Sequence, residues 1–155
     1  MIKQAEELQA LADELLRLGE DGGAVYIDQF CRLNQKIREK TELLFSQQSK
    51  DIDQEAYLCL TLLKAYSVVA YSVDCEDQKI QIILDRCFAL LSNHTRSLQA
   101  FMKGKLLIYC YYFIGDKELE RKIQSLINDL QVQDCIEETK ELSILCRNLA
   151  SNITC

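Results

Sequence analysis

The side chains able to do chemistry in this sequence are few and scattered. There is one histidine, His94, in the polar segment Ser92-Asn93-His94-Thr95-Arg96. One imidazole cannot build the paired Glu-x-x-His arrangement of a carboxylate-bridged di-metal bundle. No HExxH helix and no phosphate loop of the GxxxxGK[ST] form is present either. A Cys–His nucleophile pair needs its members to meet only in space, but nothing around His94 is suited to tune it, so it reads as an ordinary loop or helix-end residue. The eight cysteines, at 31, 59, 75, 87, 110, 135, 146 and 155, are never closer than nine positions, which excludes the ligand spacing of metal fingers. Cys59, Cys87, Cys110 and Cys146 fall in or beside apolar stripes, where cysteine behaves as a small hydrophobe. Cys75 and Cys155 have more polar surroundings, and a thiol enzyme or redox sensor would have to use one of them. The expectation is no catalytic residue, no metal and no cofactor.

Three clusters invite other readings. Asp74-Cys75-Glu76-Asp77 is acidic but lacks the alternating oxygen ligands and central glycine of a calcium loop, so it reads as the solvated start of a helix. Asp51 and Asp53 likewise precede a helix and suit its positive end. Arg32, Lys36 and Lys40, with Arg38 nearby, share one helical face and resemble a groove-binding helix; Glu39 and Glu42 interrupt the field. Tyr109-Cys110-Tyr111-Tyr112-Phe113 places four rings within five residues, too wide an arc for one core stripe unless the helix is covered on several sides. Its rival role is a protein-contact anchor at Tyr111 or Tyr112, since tyrosine offers large area at low entropy cost.

These groups must be carried by helices. The 155 residues include no proline and only five glycines, with 48% hydrophobic and 27% charged residues. Too few turn signals are present for a sandwich or barrel, and too much apolar surface for a disordered chain. The net charge of −6, from 24 acidic against 18 basic residues, opposes phosphate-backbone binding. Acid collects at the ends: residues 1–24 hold six acids and two bases, residues 116–155 eight acids and five bases. A basic protein partner fits this distribution better than nucleic acid. The start is polar, unlike a secretory signal. The longest apolar run, Leu106–Ile114, has nine residues, about half of what spans a bilayer. A cytoplasmic protein with reduced thiols and no membrane contact is expected.

Helical periodicity marks a first helix over 2–18 through Ala5, Leu8, Ala12 and Leu15. Gly19 is expected as its stop and Asp21 as a cap for the second helix. That helix shows Tyr26, Phe30, Leu33, Ile37 and Leu44 to about Gln48. After a polar break at 46–55, Ala56–Val73 is apolar nearly all round, as in a helix buried between neighbours. Ile80, Ile83, Leu84, Cys87 and Leu91 mark a fourth helix, and residues 98–114 a fifth. Inside the fifth, Gly104 hints at the close approach of a neighbouring backbone. Gly115-Asp116 breaks the chain before Leu119, Ile123, Leu126, Ile127 and Leu130. The last helix carries Ile136, Leu142, Leu145, Leu149 and Ile153. The fold expected is all-α, a single domain over 1–155 of about seven helices in a compact stack of helical hairpins, TPR- or HEAT-like. An echo at an offset of 43 relates Leu63 and Tyr66 to Leu106 and Tyr109, and Lys79-Ile80-Gln81 to Lys122-Ile123-Gln124, as in stacked hairpin repeats.

Several blocks together resemble one family. Leu15-Leu16-Arg17-Leu18-Gly19-Glu20-Asp21-Gly22, continuing into Val25-Tyr26-Ile27-Asp28-Gln29-Phe30 and Leu33-Asn34, is similar to the N-terminal signature of the UpxZ family. So are Glu55-Ala56-Tyr57-Leu58-Cys59-Leu60-Thr61-Leu62-Leu63 with Tyr66, Asp85-Arg86-Cys87, and Lys105-Leu106-Leu107-Ile108-Tyr109-Cys110-Tyr111 followed by Glu118-Leu119. The resemblance runs from about residue 8 to residue 130. Phe88 stands where the pattern has tryptophan, and Lys64-Ala65 replace a more apolar pair. The resemblance implies a cytoplasmic regulator of capsular polysaccharide synthesis of the Bacteroides type. Such a regulator opposes antitermination by noncognate UpxY factors, which are relatives of the elongation factor NusG. On this reading the protein is a non-enzymatic partner of a NusG-like factor, and the contact residues expected are Tyr26, Asp28, Tyr111 and Tyr112. Two other readings are weighed against it: a generic helical-repeat adapter, and a nucleic-acid-binding regulator using Arg32, Lys36, Arg38 and Lys40.

Overall fold

The computed structural model describes residues 2–20, 27–69, 75–94 and 96–150. Among these, seven helices form and no strand does: α1 (Ile2–Glu20), α2 (Ile27–Phe45), α3 (Ile52–Val68), α4 (Cys75–Asn93), α5 (Ala100–Ile114), α6 (Lys117–Val132) and α7 (Ile136–Leu149). The all-α expectation is borne out. The chain divides into two compact units, residues 1–86 and 87–155.

In the first unit α1 packs on both α2 and α3, and α2 packs on α3. The stripes fall where periodicity puts them: Ala5, Leu8, Ala12 and Leu15 of α1 and Leu33, Ile37 and Leu44 of α2 are buried. Every residue from Leu58 to Leu63 of α3 is also buried, which is the burial its all-round apolarity requires. The one hydroxyl in that run, Thr61, is satisfied twice. It donates to the Tyr57 carbonyl at 2.7 Å and accepts from Gln9 Nε2 of α1 at 2.9 Å. The helix starts four residues before Ala56, because the Asp51 carboxylate accepts from the Gln54 N–H at 2.9 Å and so nucleates the first turn. Asp51 is therefore the cap, while Asp53 lies inside the first turn. The helix stops at Val68 rather than Val73, with Val69 in extended backbone at ψ 144°; two consecutive β-branched residues there disfavour continuing. Residues 70–73 lie outside the described residues. So do Asp21, Tyr26 and most of the Gly19–Gly23 segment, and α1 runs one residue past Gly19 to Glu20.

An ion pair closes the connection between α2 and α3. Arg86 of α4 donates from Nε and Nη2 to both oxygens of Glu55 on α3, at 2.9 and 2.7 Å. It also donates to the carbonyls of Phe45 and Gln47 at 3.3 and 2.9 Å. The loop-side oxygen of Glu55 further accepts from the Ser49 N–H at 3.2 Å. Both side chains are largely buried, 10% exposed for Arg86 and 13% for Glu55.

In the second unit α5 packs on α6 and α7, and α6 packs on α7. Leu106 to Cys110 of α5 are all buried, as are Leu119, Ile123, Ile127 and Leu130 of α6 and Leu142 and Cys146 of α7. Gly115 ends α5 at φ +71°, where a Cβ would be strained, and its N–H donates to the Tyr111 carbonyl at 2.8 Å. Asp116 then caps α6 through the Glu118 N–H at 2.9 Å. Gly104 is constrained by side chains, not by a backbone. A Cβ there would stand 2.7 Å from Leu142 Cδ1 and 3.1 Å from Leu126 Cδ2, so α6 and α7 both reach α5 where it lacks a side chain. Ile136, expected on the α7 stripe, is instead 73% exposed; as the first residue of its helix it precedes the turns that face α5 and α6. The 43-residue echo is not matched in packing: α5 and α6 form a close hairpin, whereas α3 packs mainly on α1 and α2.

Candidate partner-binding surface

The aromatic run of α5 resolves into two roles along the helix. Tyr109 and Cys110 belong to the buried stretch, while Tyr111 is half-buried and Tyr112 is 44% exposed. Gly115 fixes the end of the helix, and the Tyr112 ring meets the Phe113 ring edge-on, with centroids 5.0 Å apart and planes at 83°. That edge-to-face arrangement is one that aromatic pairs prefer, and it leaves a large amphipathic side chain at the surface. Ile114 beyond it is also exposed. Asp28 is an exposed acid in the first turn of α2, where it also favours the helix N-terminus. The structure thus places Tyr111 and Tyr112 together on one helix end of the second unit, and Asp28 on the first unit. Tyr26 lies outside the described residues.

The basic face of α2 is drawn only in part into local pairs. Lys40 binds Glu7 of α1 at 3.1 Å, and Glu42 binds Lys79 of α4, whose ammonium also lies 5.7 Å from the Phe45 ring centroid. Gln35 donates to Glu39 on the same helix at 3.0 Å. Lys64 of α3 pairs with Asp13 of α1 at 2.6 Å. A small recess of about 290 Å³ between α2 and α3 is lined by Gln35, Arg38, Glu39, Thr41, Glu42 and Tyr66, so its walls mix both signs of charge.

The other singled-out groups take structural positions. His94 is exposed just past α4, and its carbonyl accepts from the Ser97 and Leu98 N–H groups at 3.0 and 3.2 Å. Cys59, Cys87, Cys110 and Cys146 are buried, and Cys31 is exposed. Cys155 is outside the described residues, and of Cys75 only the backbone is described, as the first residue of α4. No group of three or more His, Cys, Asp or Glu side chains suited to a metal ion occurs among the described residues. The phenol of Tyr57 is pushed above its usual range, first by burial and then by the nearby Glu6 carboxylate.

A larger cleft lies wholly in the second unit. It holds about 540 Å³ between the end of α4, the start of α5 and one face of α6, with apolar lining that includes Phe88, Leu91, Leu107 and Leu126, and with Lys103, Lys122 and Asp129 as its charged residues. Helical spacing hides it from inspection of the sequence, because each helix contributes only three to six residues at i, i+3, i+4 steps.

Comparison with known proteins decides the family. The profile described as the UpxZ family of transcription anti-terminator antagonists matches residues 5–112. The chain belongs to the UpxZ family. A solved structure of a transcription anti-terminator antagonist UpxZ from Bacteroides uniformis ATCC 8492 is similar at a TM-score of 0.77 and 36% identity, covering 97% of this chain and 92% of that one. No match was found among curated proteins. The UpxZ match runs from α1 into α5 and takes in every block of the resemblance except Glu118-Leu119. Two of the UpxZ-like blocks are physically joined, since Glu55 and Arg86 are the partners of the ion pair that closes the α2–α3 connection. The sequence carries little sign of that pair beyond a glutamate that opens one apolar block and an arginine that interrupts another. No helix among the described residues is long and apolar enough to cross a membrane.

Proposed function

We propose that this UpxZ-family protein is a non-enzymatic cytoplasmic regulator. It binds noncognate NusG-like antitermination factors of the UpxY type and thereby limits expression of capsular polysaccharide loci. The observation that carries the reading is family membership over 5–112, supported by likeness to the Bacteroides uniformis antagonist along nearly the whole chain. The exposed tyrosine at the end of α5 supplies an anchor of the kind that carries protein–protein binding energy. Tyr26, Asp28, Tyr111 and Tyr112 are the proposed contacts, and discrimination among related factors lies in such exposed side chains.

The test is calorimetric titration of the protein against a panel of UpxY-type factors, paired with transcription of a capsule leader in vitro. Binding to a noncognate factor, with loss of its read-through activity, is the expected result. Absence of binding to every factor in the panel overturns the reading.

A further inference from the structure

We infer that the cleft between α4, α5 and α6 is a docking groove for an acidic amphipathic helix of the protein's partner. This rests on the reading above and adds which surface takes the partner and what segment fits it. The volume of about 540 Å³ lies within the range of built binding sites, roughly 300–1,000 Å³. The walls are helical: Phe88 and Leu91 lie in α4, Lys103 and Leu107 in α5, Lys122 and Leu126 in α6. Backbone amides inside helices are already bonded to carbonyls of the preceding turn, so the groove has no strand edge to offer an extended peptide. A segment that covers the apolar floor must therefore satisfy its own backbone, and a helix does so while presenting apolar anchors at i, i+3, i+4 and i+7.

The acidic character follows from charge. In a chain of net charge −6, Lys40, Lys64, Lys79, Arg86 and Arg121 each pair with a carboxylate. Lys103 and Lys122 form no ion pair among the described residues, and against the single carboxylate of Asp129 they leave the lining of the cleft net positive. A helix with carboxylates beside its apolar stripe meets both needs at once: it covers the floor and pairs the two ammonium groups across a rim where electrostatic complementarity sets specificity and association rate.

The experiment uses the full chain and two ligands. The first is a synthetic Leu/Glu amphipathic helical peptide, titrated while amide NMR shifts are followed; the second is the UpxY-type factor panel. Variants are Lys103→Glu/Lys122→Glu, which reverses the rim, and Ser125→Trp, which fills the cleft from an exposed α6 position. Supporting results are peptide-induced shifts at Lys103, Lys122 and Leu126, and Kd raised at least tenfold for peptide and factor in both variants with unchanged circular dichroism. Shifts confined elsewhere, or variant affinities within twofold of the parent, overturn the inference. So does a dimer of the parent chain that these variants dissociate, since a second copy would then be the occupant. Factor binding that both variants retain leaves the regulatory reading standing and removes the cleft from it. A parent chain that binds the peptide but no factor does the reverse.

Discussion

Replacing Arg86 by Met should destabilise the first unit more than any other single surface-accessible change. The side chain's hydrogen bonds include two charge-assisted ones to Glu55 and two to the carbonyls of Phe45 and Gln47. Removing one member of a buried ion pair costs about 3–5 kcal/mol, because the other charge is left without compensation. Here the pair retains 10–13% exposure, and Glu55 keeps the Ser49 N–H, so about 2–4 kcal/mol is expected for Arg86→Met. Glu55→Gln preserves shape and one acceptor and should cost about 1–2 kcal/mol. The double-mutant cycle should give a coupling of about 1–3 kcal/mol. Lys40→Ala is the contrast, because the Lys40–Glu7 pair is exposed on both sides and such pairs contribute about 0–1 kcal/mol.

Urea unfolding followed by circular dichroism measures all four proteins. A loss of about 3 kcal/mol corresponds to a fall in Tm of about 6–12 °C at this chain length. Raising the salt should weaken the Lys40 contribution and leave most of the Arg86–Glu55 coupling, since buried pairs are screened less. Should Arg86→Met unfold within 0.5 kcal/mol of the parent, or should the two single losses simply add, the clamp does not hold the α2–α3 connection and the argument fails.

Gly104→Ala gains up to about 1 kcal/mol of helix propensity, but its methyl enters the space of a fully buried Leu142. Overpacking costs about 1–3 kcal/mol, so a net loss near 1 kcal/mol is expected by urea unfolding, and less than additive loss in combination with Leu142→Ala. Tyr109→Ala should cost about 3–5 kcal/mol, as truncation of a buried aromatic does. Tyr112→Ala should leave the urea midpoint nearly unchanged while raising the Kd for the partner about tenfold in calorimetry, and equal effects at the two positions would contradict their different burial. The raised Tyr57 phenol favours the neutral form in the folded chain. Its contribution is full below the unfolded value near 10 and is lost as the pH rises through the folded value. Urea midpoints should therefore fall more steeply above pH 10 in the parent than in Tyr57→Phe.

Periodicity made most of this fold legible because each helix buries a stripe that recurs every three or four residues. Ala5, Leu8, Ala12 and Leu15 are buried as the spacing predicts, and so are Leu119, Ile123, Ile127 and Leu130, while Leu126 of the same stripe is half-buried and lines the cleft. The ends of α3 differ from the apolar span Ala56–Val73 for a local reason: apolarity reports where a helix is covered, whereas the Asp51 cap and the extended Val69 decide where it begins and stops. Ile136 failed because a stripe position in the first turn of α7 has no facing helix to cover it. Within the aromatic run, sequence alone could not assign inside and outside, since neighbouring residues differ by one step around the helix; the structure buries Tyr109 and exposes Tyr112. The cleft walls and the Glu55–Arg86 pair were illegible because each joins residues from separate helices, and spacing within one helix carries no information about its neighbours.

The choice between a protein partner and a nucleic acid turns on how many cations are available. Of the four basic residues on α2, Lys40 is paired with Glu7 and Arg38 is half-buried and engaged. Arg32 and Lys36 are exposed and form no ion pair among the described residues. Two phosphate contacts give a salt slope of only about −2 in log K against log salt, a weak and non-specific association. Exposed carboxylates of Glu39 and Glu42 on the same helix oppose even that. A protein partner makes no such demand. It can take its binding energy from a few anchors, an exposed Tyr112 and an apolar floor between helices, and use the charged rim around them to discriminate among similar factors. On the proposed function, an antagonist that acts on some members of one factor family and spares others would need that arrangement, in which affinity and choice reside in different atoms.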